Sequence, residues 1–282
     1  MAKLSDTVAS TTHRVLVFGP PKVGKTQLVG QLAEKFDLIW FDLESGHNTL
    51  RKLPLEYQKR IELIQLPDSK SYPIAVETLL KVITGAKVKI CEAHGKVACP
   101  LCAKDNKPVV EFCLNEVPST SVVVFDSLTQ FTSSATANLT KNQPDDYKMQ
   151  RDDWGNLKII VEKFLSGVQA ARCNIVCISH EEEAEMEDGR TKIVPVCGSS
   201  KSSRNTAKYF DHVVYAEIKN RKHIAASATT YANNIMTGSR TDVDLEKTPG
   251  LLTIFQSVNV APPTQGQVAL SSLQALKLSK GN

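Results

Sequence analysis

An α/β fold around a mainly parallel sheet, interrupted by one small cysteine-rich insertion, is what this sequence predicts. Two observations carry that expectation. Short runs of large apolar residues, lacking the polar alternation of a half-exposed strand, recur between segments with helical spacing. The first such run, Arg14-Val15-Leu16-Val17-Phe18, leads through Gly19-Pro20-Pro21-Lys22-Val23-Gly24-Lys25-Thr26 into a helical segment, Gln27 to Lys35. A glycine-rich turn between strand and helix is the setting that a phosphate-binding loop requires.

The remaining elements follow in chain order. Leu38 to Glu44 reads as a second buried strand ending in acids, Ile61 to Leu66 as a third, and Ser71 to Thr84 as a helix. From residue 87 to about 117 the alternation breaks into a stretch rich in Lys, Cys and Pro with no sustained period. Order returns with the strand Ser121 to Ser127, a polar helix near Leu128 to Leu139, and a strongly amphipathic helix from Trp154 to Ala171. Asn174 to His180 reads as the next core strand, and Asp188-Gly189 as the turn of a hairpin whose second arm is Thr191 to Val196. The stretch Gly198 to Lys208 reads as basic, small and flexible. His212 to Lys219 and Ile224 to Thr230 are expected to close the sheet with antiparallel character. This divides the chain into a core over 13–245, an insertion within it at 88–117, and a largely flexible segment over 246–282.

Composition narrows the class. The chain has 282 residues, a formal net charge of +4, and seven cysteines, of which Cys91, Cys99, Cys102 and Cys113 fall close together. The small basic excess is a weak pointer to a polyanion partner. No run has the length of a membrane span and Met1 to Thr12 is polar, so a soluble, cytoplasmic protein with no membrane partner is expected. Cysteines in that setting read as metal ligands or buried thiols rather than disulfides.

The chemistry is concentrated at a few positions. Gly24 lets backbone amides close around phosphates, Lys25 reaches the β- and γ-phosphates of ATP, and Thr26 ligates Mg2+; Gln27 opens the helix. Pro20 and Pro21 lack amide donors, so the cradle depends on amides from Lys22 and Val23 onward. Asp126 ends an apolar strand, the way a carboxylate is brought to the magnesium shell. Ser127 follows it where many ATPases keep a catalytic glutamate. The base is therefore sought at Glu44, because neighbouring parallel strands open toward the nucleotide at their carboxyl ends. Cys91, His94, Cys99 and Cys102 form two close-spaced ligand pairs suited to structural Zn2+, with Cys113 an alternative to Cys91.

Taken together, Gly19 to Thr26, Phe41-Asp42-Leu43-Glu44, Val124-Phe125-Asp126-Ser127 and Ile178-Ser179-His180-Glu181 resemble the RecA/RadB-type P-loop NTPase core in its small phage form. In particular they resemble the phage-encoded RecA-like proteins classed as single-strand annealing recombination proteins, over about residues 13 to 245 without the insertion. The resemblance implies a RecA-like ATPase of recombination that binds single-stranded DNA and promotes annealing, often beside a single-strand binding protein, in the cytoplasm of a bacterial host. It implies Glu44 as the water-activating base and His180 as a sensor of the γ-phosphate, with DNA near Lys201, Arg204 and Lys208. It also implies a homo-oligomeric ring or filament with a basic finger acting in trans, either Lys219 with Arg221 or Arg240. Two other readings of the residues stand beside it: a nucleotide-gated adaptor that recruits a replication or repair partner, and a P-loop kinase. The adaptor has no need of Glu44, and an arginine-rich lid that would mark the kinase is not evident.

Overall fold

A computed structural model describes residues 12–69, 71–220, 222–227, 234–240, 245 and 250–256. Five parallel strands form the heart of one sheet: β1 (Arg14–Gly19), β2 (Asp37–Asp42), β3 (Ile61–Gln65), β6 (Ser121–Asp126) and the first half of β7 (Asn174–Glu185). The insertion contributes β4 (Val88–Cys91) and β5 (Val109–Phe112), which pair with each other as a separate antiparallel ribbon. β8 (Thr191–Pro195), β9 (His212–Lys219), β10 (Lys222–Ala226) and β11 (Gly238–Ser239) complete the strands.

The main sheet runs β10-β9-β1-β7-β6-β2-β3. β9 lies parallel to β1, with Val15 opposite His212, so the expected antiparallel closure holds only for β10 on β9 and for β11. Its physical reason lies between Cys197 and Phe210: α7 (Ser200–Asn205) and a 3-10 turn carry the chain back across the sheet, as a parallel connection requires. The same helix corrects the reading of that stretch as a flexible loop. Ser199 caps it, accepting from the Ser202 amide, and Ser203 and Thr206 are fully buried.

Successive residues of each strand enter opposite faces, and both faces are covered. Leu16, Phe18, Phe41, Val123, Phe125 and Ile175 meet α3 (Ile74–Val82), α5 (Leu128–Thr140) and α6 (Arg151–Ala170). Val15, Val17, Leu38, Trp40, Val124 and Val176 pack on the other face with α1 (Lys25–Gly30) and α8 (Leu252–Gln256). The short α2 (Leu55–Gln58) lies before β3. Leu251, Ile254 and Phe255 are buried in this second layer, so the flexible segment expected from 246 onward does not include 250–256; residues 257–282 lie outside the described residues.

The insertion is structured as well. Besides β4 and β5 it carries α4 (Pro100–Lys104), and Val88, Ile90, Phe112 and Leu114 join the main core. Thr78 of α3 donates to the Gly95 carbonyl at 2.7 Å, which ties the insertion to the sheet's helical cover.

Candidate functional site

Strand register sets the site. Gly19 lies opposite His180, and Asp42 opposite Asp126, so the ends of β1, β7, β6 and β2 lie along one carboxyl edge of the sheet. Two strands, β7 and β6, separate β1 from β2, so Glu44 approaches the phosphate loop across them rather than from an adjacent strand.

The phosphate loop turns on glycines that no other residue would replace easily. Gly19 has φ +150°, and a Cβ there would stand 2.1 Å from the Ala216 carbonyl oxygen of β9. Gly24, at φ +89°, is the residue before α1. Pro20, Pro21 and Lys22 form the outer turn, and Val23 is buried beneath it. Lys25 is also buried, its ammonium donating to the carbonyls of Gly19 at 2.9 Å and Pro20 at 2.7 Å. Burial lowers its pKa to about 8 against the opposing pull of Glu44, Asp126 and Glu181. Gln27 is half-buried on the first turn of α1.

Around Lys25 the other predicted residues come together. Its ammonium lies 3.3 Å from His180 Nδ1, and His180 Nε2 lies 3.6 Å from Glu44 Oε2. Accepting at Nδ1 places the imidazole proton on Nε2, facing the carboxylate. Thr26 donates to Asp126 Oδ2 at 3.2 Å. Burial raises the Glu44 pKa, but hydrogen bonds from His180 and Ser127, with the charge on Lys25, outweigh it and hold the group below its ordinary value. Glu44 is thus an ionised acceptor at neutral pH. Asp126 moves the other way, to about 7, through burial and the neighbouring charges of Glu44 and Asp42.

That crowding of carboxylates beside a hydroxyl fits Mg2+. Thr26 and Asp126 would hold it, and the ion would neutralise charge on the phosphate oxygens. Three further residues, given no role from sequence, shape the site. Ser127 caps α5, accepting from the Gln130 amide at 3.2 Å while donating to Glu44. Asp42 accepts from the amides of Glu44, Gly46 and His47 at 3.2, 3.0 and 3.3 Å and from His47 Nδ1 at 2.7 Å, fixing the turn that carries Glu44. Thr129 accepts from the His180 amide at 2.9 Å. An acid two residues before the expected base was visible in Phe41-Asp42-Leu43-Glu44, whereas the roles of Ser127 and Thr129 depend on register between distant strands.

Most of the other predicted residues stand apart from this group of side chains. Cys91, His94, Cys99 and Cys102 present ligand atoms all within 4.8 Å of one another, and the three cysteines are buried. His94 Nδ1 is 3.2 Å from the Cys102 sulfur and 3.6 Å from that of Cys99. Such a soft donor set fits zinc. Cys113 is turned away, donating to the Gly85 carbonyl at 3.3 Å. Lys201 and Lys208 border a recess of about 160 Å³ with Lys158 of α6, whereas Arg204 donates to the Glu185 carbonyl and lies under the β7–β8 hairpin. Lys219 is exposed at the end of β9, and Arg221 lies outside the described residues. Arg240 sits at the opposite edge of the sheet from the phosphate loop, 3.1 Å from Asp211.

The parallel α/β sheet and the glycine-lysine-threonine loop at its carboxyl edge define a P-loop NTPase. Residues 11–244 match the AAA domain family, and the chain belongs to that family, as an AAA-type P-loop ATPase domain. A solved prototypical ATPase from the type III secretion system of pathogenic bacteria is similar at 14% identity, with a TM-score of 0.41. That similarity covers 73% of this chain and 52% of the other, so the chain spans about half the length of that ATPase. No curated protein matches. Among the described residues, no helix is long and apolar enough to cross a membrane.

Proposed function

We propose that this protein hydrolyses ATP and couples it to binding of single-stranded DNA, in annealing, recombination or replication. The observation that carries the hydrolytic reading is the convergence of Lys25, Glu44, Asp126, Thr26 and His180 on one side of the phosphate loop. Water attacks the γ-phosphorus in line, its proton passes to Glu44, and the bond from the γ-phosphorus to the bridging oxygen of ADP breaks. Lys25 draws charge from the γ-phosphate oxygens, and His180, between Lys25 and Glu44, senses whether that phosphate is in place. An adaptor that only binds nucleotide has no use for an ionised carboxylate set against the loop in this way.

The DNA reading is supported by the resemblance to phage annealing ATPases and by three lysines, Lys158, Lys201 and Lys208, around one recess that Glu162, 3.8 Å from the Lys158 ammonium, also lines. Aromatic platforms for bases are sparse there. Tyr209 is buried, with the Lys208 ammonium 4.9 Å from its ring centre, so the contacts suit backbone phosphates rather than bases. A homo-oligomeric ring or filament, with Lys219, Arg221 or Arg240 reaching a neighbouring nucleotide, and work beside a single-strand binding protein belong to the same proposal. The test is ATP turnover with and without single-stranded DNA, and binding across a salt series. Turnover should rise with DNA. Replacing Lys158, Lys201 and Lys208 by Ala should make the log–log salt dependence shallower by about two units. Turnover with no response to DNA, and no DNA binding at low salt, would leave an ATPase with a different partner.

A further inference from the structure

Asp42 holds the turn that carries Glu44, and Asp42 is held in turn by the neighbouring strand. The amide of Leu66, one residue past the end of β3, donates to the Asp42 carbonyl at 2.9 Å. The Gln65 side-chain amide lies 3.2 Å from His47 Nδ1, the nitrogen that meets the Asp42 carboxylate. β3 stands last in the order of the main sheet, so β2 supports it on one side only. Its end is braced by the cysteine-rich insertion, through Gly95. This residue follows His94 directly, and its amide donates to the Cys91 carbonyl at 2.8 Å, closing the turn between the first two members of the Cys/His cluster. Its carbonyl accepts from the buried Thr78 hydroxyl at 2.7 Å. At φ +63°, a Cβ on Gly95 would stand 2.6 Å from the Gln65 carbonyl oxygen and 3.0 Å from Leu66 Cα, so only glycine lets the turn rest on the strand end. We infer that the metal-binding turn Cys91 to Gly95 positions Glu44, acting through Gly95, Leu66 and Asp42, so that hydrolysis requires the bound zinc while ATP binding does not. The inference rests on the hydrolytic reading above and adds to it a requirement that lies outside the phosphate loop.

The metal matters because little else fixes this turn. β4 and β5 form a two-stranded ribbon, which is marginal by itself, and four ligands closing on one ion would tie Cys91 and His94 to Cys99 and Cys102 across it. Without the ion, the Thr78 hydrogen bond and the contact with β3 are left to hold Gly95. A shift at Gln65 and Leu66 passes to the Asp42 carbonyl through the Leu66 amide, and Glu44 lies two residues further along. A base displaced by about 1 Å costs up to about a hundredfold in rate, so a partly loosened turn should cost about tenfold. Lys25 and the loop glycines are insulated from this path, since β7, β6 and β2 separate β1 from β3.

Turnover, equilibrium ATP binding and zinc content, measured on the same preparations, test this. Cys99→Ser with Cys102→Ser should remove the zinc, lower kcat about tenfold and leave the ATP dissociation constant within about twofold. Thr78→Val keeps the side chain's shape and all four ligands, so it should retain the zinc and lower kcat by about threefold. The cysteine changes made on top of Glu44→Gln should lower the residual turnover no further, because the group they aim is already gone. A further fall of about tenfold there would mark a general loosening of the fold and overturn the inference. A metal-free variant that hydrolyses ATP at the wild-type rate, or a wild type that hydrolyses ATP and holds no zinc, would also overturn it while the hydrolytic reading stands. If the wild type hydrolyses no ATP, the hydrolytic reading itself fails and this one with it.

Discussion

At the scale of single residues, the site divides tasks between two charges of opposite sign. Lys25 is buried against its own loop carbonyls, where the proposed function has it serve the phosphates; Glu44 is held ionised by His180, Ser127 and the nearby ammonium. Glu44→Gln keeps the shape and removes the proposed base, so ATP affinity should stay near wild type while turnover falls by about a hundredfold or more. Steady-state turnover beside equilibrium ATP binding checks it, and normal hydrolysis in this variant places the base elsewhere. Lys25→Ala should lose both binding and turnover, with an unchanged circular dichroism spectrum showing that the fold survives. Asp42→Asn acts one step back. It weakens the turn under Glu44, so kcat should fall by about tenfold with KM little changed, less than for Glu44→Gln because the base is present but loosely aimed. The loop glycines, Lys25, Thr26, Glu44 and Asp126 were legible as candidates in the sequence because local spacing alone suggests their chemistry. Ser127 as partner of Glu44, and His223, whose Nδ1 donates to the Val23 carbonyl at 2.8 Å, as clamp of the loop, were not: each depends on a contact between chain segments 83 and 200 residues apart.

The element scale is where sequence reading met its limits. Buried parallel strands announce themselves by composition, so β1, β2, β6 and β7 were expected where they lie. The direction of β9 was not, because an apolar run reads the same either way and only the connection through α7 settles it. The insertion shows no sustained period because β4 and β5 are four residues each; the strand-like Val109 to Leu114 was legible and contains β5, whereas β4 was not. Its own pairing amounts to a two-stranded ribbon, which is marginal in water without further support. That support comes from the Cys91, His94, Cys99 and Cys102 cluster on one side and from Phe112 and Leu114 in the core on the other. Protein purified without chelator should contain one zinc per chain by elemental analysis. Cys99→Ser with Cys102→Ser should release it and speed amide exchange over 88–117 while β1 and β6 stay protected.

For the whole molecule, the edge of the sheet opposite the phosphate loop carries a second buried polar group. His13 Nδ1 and His212 Nε2 stand 3.1 Å apart, and His212 Nδ1 meets Ser239 at 2.8 Å. Asp211, Arg14 and Arg240 are the charged groups nearby. Burial lowers both histidines, and His212, further opposed by its neighbour His13, falls to about 4. An unfolded histidine takes its proton near pH 6.5, so the folded state binds fewer protons between 6.5 and 4 and loses stability as pH falls through that window. Thermal unfolding midpoints should therefore drop from pH 6.5 toward 4. His212→Gln should start about 1 kcal/mol less stable at pH 7.5, for a lost hydrogen bond, and decline less steeply with acid. His13 also meets the ring of Phe255 edge-on at 5.5 Å, which brings α8 to the same edge. The matched family segment stops at 244, yet Leu251, Ile254 and Phe255 lie buried beyond it. Each such side chain contributes roughly 1.5–3 kcal/mol, so their combined share is comparable to the net stability of an ordinary domain. Anyone trimming this gene to the family boundary for crystallisation or expression should therefore recover an aggregating product, and the shortest workable clone ends no earlier than residue 256.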